Sequence, residues 1–313
     1  TSTRFMTREQ RAEVYVQQCK TTLEKAQQSS TISLEFRRIE SPQLVRLMFS
    51  RIWQGVLGAL SDAFAETKNI KKAALCIEGL ICSLHIASHN YIKDALVTII
   101  NSFSQFSRLR SLDKESQPKN QLCMNKFVEA AIEDACYLGD SLSVVWEDVS
   151  TLDLRREQSN QIVEFTEKTA SFDSESITEL ITALCETAER ELSEIPSRTF
   201  SLIKIVEVAQ FNMHRPLNEW ERIWDKIGSF LVSIGCSPDP SLAQTSVNNL
   251  NILTKSFLKS RDLGSSEYQN RFVQPFCDIF EKQPDPTIRN FLIESVGYVI
   301  LEFHSVLKNG WDN

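Results

Sequence analysis

Asp239-Pro240-Ser241-Leu242 and Asp285-Pro286-Thr287-Ile288 are one local signature repeated 46 residues apart. In each, an acidic side chain can accept from the free N–H groups of a first helical turn. The proline behind it loses no needed donor there and is already set to a helical φ. Ser41-Pro42 repeats the device near the other end of the chain. A helix start recurring at this separation marks a unit of two helices and two turns. An amphipathic pair cannot bury its apolar face alone, so neighbouring units must stack.

The periodicity along the rest of the chain agrees. Ile223, Trp224, Ile227, Phe230, Leu231 and Ile234 recur at spacings of three and four, as do Ile288, Phe291, Leu292, Val296, Val299, Ile300 and Phe303. The pattern predicts helices over 7–28, 43–65, 70–88, 91–109, 121–137, 141–154, 161–170, 174–193, 197–212, 217–234, 240–260, 266–281 and 286–307. No alternating run is long enough for a strand. Only 9 glycines and 9 prolines occur, which disfavours turn-rich sandwiches and propellers and the glycine-rich loops of nucleotide-binding folds. The 46-residue spacing falls in the period of HEAT-type helix pairs. The expected fold is all-α, a HEAT/armadillo-like solenoid of stacked antiparallel pairs. We treat 1–313 as one domain, with 1–40 a leading helix and linker and 41–311 about six pairs. Residues 110–120 and 155–160 are expected loops. The chain starts without methionine and ends just after Gly310-Trp311, and is read as a part of something longer.

Charge and cysteines narrow the function classes. A formal net charge of −7 makes a nucleic-acid partner a poor expectation. Residues 151–200 hold 11 acidic and 5 basic side chains, whereas residues 1–50 hold 5 acidic and 8 basic. Two solvated faces account for this polarity, although it could also orient the chain on a charged surface. The eight cysteines form no CxxC pair and most sit among apolar helical residues, as in Leu75-Cys76-Ile77. They read as small buried hydrophobes in a reducing compartment. No signal peptide and no apolar run of about 18 residues is present.

The search for chemistry is mostly negative. GxxxxGK, GxGxxG, GxSxG and HExxH are all absent. His85 and His89, four apart, share a helix face as zinc ligands can, but no third ligand stands at an obvious spacing, and no metal is expected. Glu133-Asp134 and Glu186/Glu189/Glu191/Glu194 read as solvated helix faces rather than acid–base machinery. Trp220 and Trp224 lie on one helix face, and Tyr268, Phe272, Phe276 and Phe280 on another. Core packing explains both stripes better than a partner pocket. Pro275 lies inside the last of these helices and is expected to kink it, which makes this region the first candidate for a docking face.

In the C-terminal half the order of motifs becomes specific. Ser201-Leu202-Ile203-Lys204-Ile205-Val206-Glu207 is followed by Asn212-Met213-His214-Arg215 and Trp220-Glu221-Arg222-Ile223-Trp224. Then come Tyr268-Gln269-Asn270-Arg271-Phe272-Val273-Gln274-Pro275-Phe276, Ile288-Arg289 and Gly310-Trp311. Leu75-Cys76-Ile77-Glu78-Gly79 and Tyr137-Leu138-Gly139-Asp140-Ser141 agree more loosely. This collinear set, over most of 40–311, resembles the first homology-downstream-of-Sec7 domain of large Arf guanine-nucleotide exchange factors of the trans-Golgi Sec7/BIG class. One departure is Asn248-Asn249-Leu250-Asn251-Ile252-Leu253, where the family usually has D-S-L-R-Q-L.

The resemblance implies a role without catalysis. Exchange in that family resides in a Sec7 domain whose F-R-L-P-G-E-A-Q signature this chain lacks. It implies a regulatory domain that binds GTP-bound, membrane-attached Arf, peripheral on trans-Golgi network and endosomal membranes on the cytoplasmic side, with no cofactor. The alternative is an intramolecular arm that packs on the Sec7 domain and restrains it. Direct lipid binding through Arg4, Arg8, Arg11, Lys20 and Lys25 is a weaker third reading, because an acidic chain is repelled by anionic lipid. Trp220, Arg222, Gln269, Asn270 and Phe272 match family motifs and are the candidate partner-binding residues.

Overall fold

Twelve α-helices and three short 3-10 turns make up the regular structure of residues 41–107, 118–154, 159–259 and 269–307, the residues described by a computed structural model. The chain divides into two units, 1–42 and 43–313, and the description concerns the second. The expected helix over 7–28, Cys19, the five N-terminal basic residues, Tyr268 and Gly310-Trp311 lie outside the described residues.

The helices are α1 (Pro42–Glu66), α2 (Ile70–His89), α3 (Lys93–Ser107), α4 (Pro118–Glu133), α5 (Leu142–Leu154) and α6 (Ser159–Lys168). They continue with α7 (Ser174–Ser193), α8 (Phe200–Phe211), α9 (Leu217–Gly235), α10 (Pro240–Lys259), α11 (Gln269–Lys282) and α12 (Pro286–Phe303). No strand occurs among the described residues. The proline starts behave as their chemistry requires: Asp239 accepts from Ser241 N–H at 2.8 Å and Asp285 from Thr287 N–H at 2.7 Å. Asn69 and Asp173 cap α2 and α7 in the same way.

Boundaries shift from the sequence reading at the two ends of α4 and at the end of α12, which stops at Phe303 rather than 307. Pro118, expected in a loop, opens α4, where the first helical position suits proline. The helix expected to run to 137 stops at Glu133. Beyond it the chain makes 3-10 turns at Ala135–Tyr137 and Gly139–Ser141. Asp134, at φ −94° and ψ 5°, leaves the α-helical region, and its carbonyl accepts from Tyr137 N–H at 2.7 Å, which closes the first of these tighter turns.

Packing follows a simple rule. From α2 onward, every helix contacts the next but one, without a break from α2 with α4 to α10 with α12. Most consecutive helices touch as well. One hydrophobic cluster runs through the layer between them from Phe49 to Leu307. Cys76 and Cys123 are buried in it, and burial pushes the Cys123 and Cys185 thiols up to about 12, so they pack as small hydrophobes. Cys82 is exposed.

A four-ring aromatic stack joins α9, α10 and α11. The Phe272 ring lies between Trp224, at 4.2 Å, and Phe257, at 3.4 Å, with Trp220 at 6.5 Å. Truncating Phe272 to alanine should leave a cavity with three elements around it and lower unfolding stability by about 3–5 kcal/mol. Urea denaturation of the variant measures this, and a loss under about 1 kcal/mol would mean the stack is not a packing centre.

Candidate functional site

Two of the C-terminal motifs, Trp220–Trp224 and 269–276, meet around Pro275. Having no N–H, Pro275 cannot serve the carbonyl four residues earlier, that of Arg271. The Trp224 indole N–H donates to that carbonyl at 2.9 Å instead. The helix thus keeps its proline, and the side chain that fills the gap also packs on Phe272. Gly235 lets α9 and α11 approach closely, since a Cβ there would collide with the Ile279 side chain.

The five sequence-selected residues have different surroundings. Trp220, Gln269 and Phe272 are buried, Asn270 is half-buried and Arg222 is exposed. Trp220 and Phe272 stack in the core, while Gln269 donates through Nε2 to the Val306 carbonyl at 3.0 Å and ties the start of α11 to the turn after α12. Arg222 lies two residues from both Trp220 and Trp224, on the opposite side of α9. Arg271 on the adjoining α11 approaches Glu221 at 3.5 Å and Asp225 at 3.7 Å, so the exposed α9–α11 ridge is a field of alternating charge.

The Asn212-Met213-His214-Arg215 motif is structural in this chain. Buried Arg215 donates to the Phe172 carbonyl at 2.6 Å, the Thr169 carbonyl at 3.2 Å and Asn212 Oδ1 at 2.6 Å, and pairs with Glu219 at 3.0 Å. Asn212 Nδ2 reaches Thr169 Oγ1 at 3.0 Å.

An apolar groove of about 580 Å³ opens between α11 and α12. Phe276, Phe280, Ile293, Val296 and Ile300 line it, and Ile293 remains 58% exposed. Tyr298 and Leu301 are also exposed on α12. On the same helix, Glu302 lies within 3.2 Å of both Lys255 and Lys259, whose hydrogen bonds hold its carboxyl below the usual glutamate range.

Two carboxylates read as solvated are instead buried. Glu191 is 2% exposed. It accepts from Ser150 Oγ at 2.5 Å, Ser201 Oγ at 2.8 Å and Ser201 N–H at 2.8 Å, joining α5, α7 and the start of α8. Asp134 is also 2% exposed and faces His85, Ser88 and His89 on α2. The third group that the histidine pair lacked in sequence therefore arrives from 45 residues away, a distance no local pattern reports. It is the one cluster of three or more His, Cys, Asp or Glu side chains among the described residues with metal-like spacing.

Residues 256–313, which include the groove, match the family model described as Mon2/Sec7/BIG1-like, HDS. Across 95% of the chain the sequence is 25% identical, over 362 residues, to brefeldin A-inhibited guanine nucleotide-exchange protein 1 of Homo sapiens. It is 28% identical over 278 residues to exchange protein 2 of Arabidopsis thaliana, covering 75% of the chain and 15% of the relative. It is 35% identical over 142 residues to Arabidopsis exchange protein 4, covering 45% of the chain and 8% of the relative. The chain spans about a fifth of the length of the human relative. No helix among the described residues is long and apolar enough to cross a membrane.

The carbonyl replacement at Pro275 can be isolated by a double-mutant cycle. Trp224→Phe should cost about 1–3 kcal/mol beyond lost packing, because the Arg271 carbonyl loses its donor. In a Pro275→Ala background the backbone N–H returns, and the same change should cost at least 1 kcal/mol less. Additive effects, within about 0.5 kcal/mol, would contradict the substitution of donors.

Proposed function

The chain belongs to the Sec7-like HDS family of the BIG-class exchange factors, and on that premise we propose a non-catalytic regulatory domain that binds activated, membrane-attached Arf. Such binding recruits and regulates the exchange factor where Arf-GTP already exists, on the trans-Golgi membrane. The observation that carries this reading is the match over 95% of the chain to an exchange protein of which it covers 20%. A segment that accompanies exchange without the Sec7 signature serves it by contact rather than chemistry.

The architecture suits contact. We take the unbroken next-but-one packing from α2 to α12 as two rows of a HEAT-like solenoid, which offers a partner a long rigid face. The candidate contact region is the α11–α12 groove, inside the segment that the family model matches, together with Arg222 and Asn270. Trp220, Gln269 and Phe272 lie beneath this surface and serve binding by holding α9 and α11 in place. An apolar cleft with a charged ridge beside it has the composition of an interface core and rim.

Flotation with liposomes carrying lipid-anchored Arf tests the reading. The chain should co-float with Arf-GTP and not with Arf-GDP. Ile293→Asp, a charge in the groove at an exposed position, and Arg222→Glu should each reduce recovery at least tenfold while leaving the unfolding midpoint unchanged. Flotation independent of nucleotide would refute the effector reading. Absence of flotation, with slowed exchange when the chain is added to an isolated Sec7 domain, would replace it with intramolecular restraint.

A further inference from the structure

We propose that His85, His89 and Asp134 form a binding site for a divalent first-row transition cation, zinc being the natural occupant. His85 and His89 stand one turn apart on α2, so their rings project from one face. Asp134 follows the last residue of α4 and is held by the 3-10 turn after it. Its Oδ2 lies 2.9 Å from His85 Nδ1, and its Oδ1 lies 3.2 Å from His89 Nε2. One ligand atom from each of the three residues lies within 4.8 Å of the others.

These separations fit an ion. Bonds of about 2.0–2.2 Å in tetrahedral array put ligand atoms roughly 3.3–3.6 Å apart. The His85 Nδ1–Asp134 Oδ2 contact needs to open by only a few tenths of an ångström, and no pair of the three ligand atoms has to close by more than about 1.5 Å, to reach that spacing. Two imidazoles and one carboxylate are the donor set that zinc and its neighbours favour over magnesium or calcium, which prefer oxygen. With three protein ligands, one position stays open to water.

The surroundings already orient the donors. The other nitrogen of His85, Nε2, lies 3.8 Å from Glu133 Oε2, so a ring bound through Nδ1 turns its remaining N–H toward a carboxylate. Ser88 Oγ donates to Asp134 Oδ2 at 2.6 Å and fixes the carboxylate plane. The His89 ring packs on Tyr137 at 4.1 Å between centroids. Charge balances as well: two neutral imidazoles, Asp134 and Glu133 around a dication sum to zero. Both rings keep solvent access, with side-chain exposures of 33% and 48%, so an ion can enter. Bound there, it would clamp α2 to the end of α4 across one helix pair.

The test is titration of the chelator-treated chain with zinc sulfate by calorimetry, with thermal unfolding in parallel. The expected result is one ion per chain and a raised unfolding midpoint with zinc but none with magnesium. Cobalt substitution should give the intense visible absorption of a four-coordinate site. His89→Gln, at a half-exposed position, and a His85→Ala/His89→Ala pair should weaken binding at least tenfold and abolish the absorption. Both variants keep every cysteine, so binding that survives in them belongs to thiols and overturns the proposal. Failure of the unaltered chain to bind one zinc overturns it too.

Discussion

The last carbonyls of a helix have no donor within it, and in this protein many of them are served by side chains from elsewhere in the stack. Lys119, at the start of α4, donates to the Phe64, Ala65 and Thr67 carbonyls at the end of α1. Arg215 donates to the Thr169 and Phe172 carbonyls after α6, and Gln283 to the Gly235 and Ser237 carbonyls at the end of α9. Trp224 does the same for a carbonyl that proline orphans within α11. Hydrophobic contact between helix rows is tolerant of small slips. A donor aimed at one particular carbonyl is not, so these bonds set the register in which the apolar faces meet.

The Lys119 bonds span 52–55 residues; in the others the partners are separated by about one helix pair along the chain: 46 residues for Arg215 and Thr169, 47 for Trp224 and Arg271, 48 for Gln283 and Gly235. The Asp134 cluster spans 45–49 residues and obeys the same rule. The 46-residue interval between Asp239 and Asp285 is thus a spatial period as well as a sequence period. Side chains at equivalent places in successive units come together, and buried polar groups find their partners there. A surface for a partner and a site for a cation can both be built this way without any loop devoted to them.

Elements governed by local chemistry were legible in advance. The helix at Ser174–Ser193 agrees with its apolar period and its Asp173 cap, and the proline starts at 240 and 286 open the helices they signal. Groups whose state depends on a residue one unit away were not legible. Asp134 and Glu191 look like members of exposed acidic clusters, because nothing nearby in sequence announces His85 and His89 or Ser150 and Ser201. The candidate contact residues divide along their helix faces. Trp220 and Phe272 lie on stripes that the spacing assigns to core packing and face each other across α9 and α11, whereas Arg222 points outward from between the two tryptophans.

Hydrogen exchange on an Arg215→Met variant tests the register bonds most directly, since methionine keeps most of the length and loses the donors. If the guanidinium ties successive units together, amide protection should fall in the 169–173 turn with the start of α7 and in α9 together, although 43–46 residues separate the two ends of the tie. Loss of protection confined to 212–219, with 169–177 unchanged, would show that packing alone sets the register and would contradict this account.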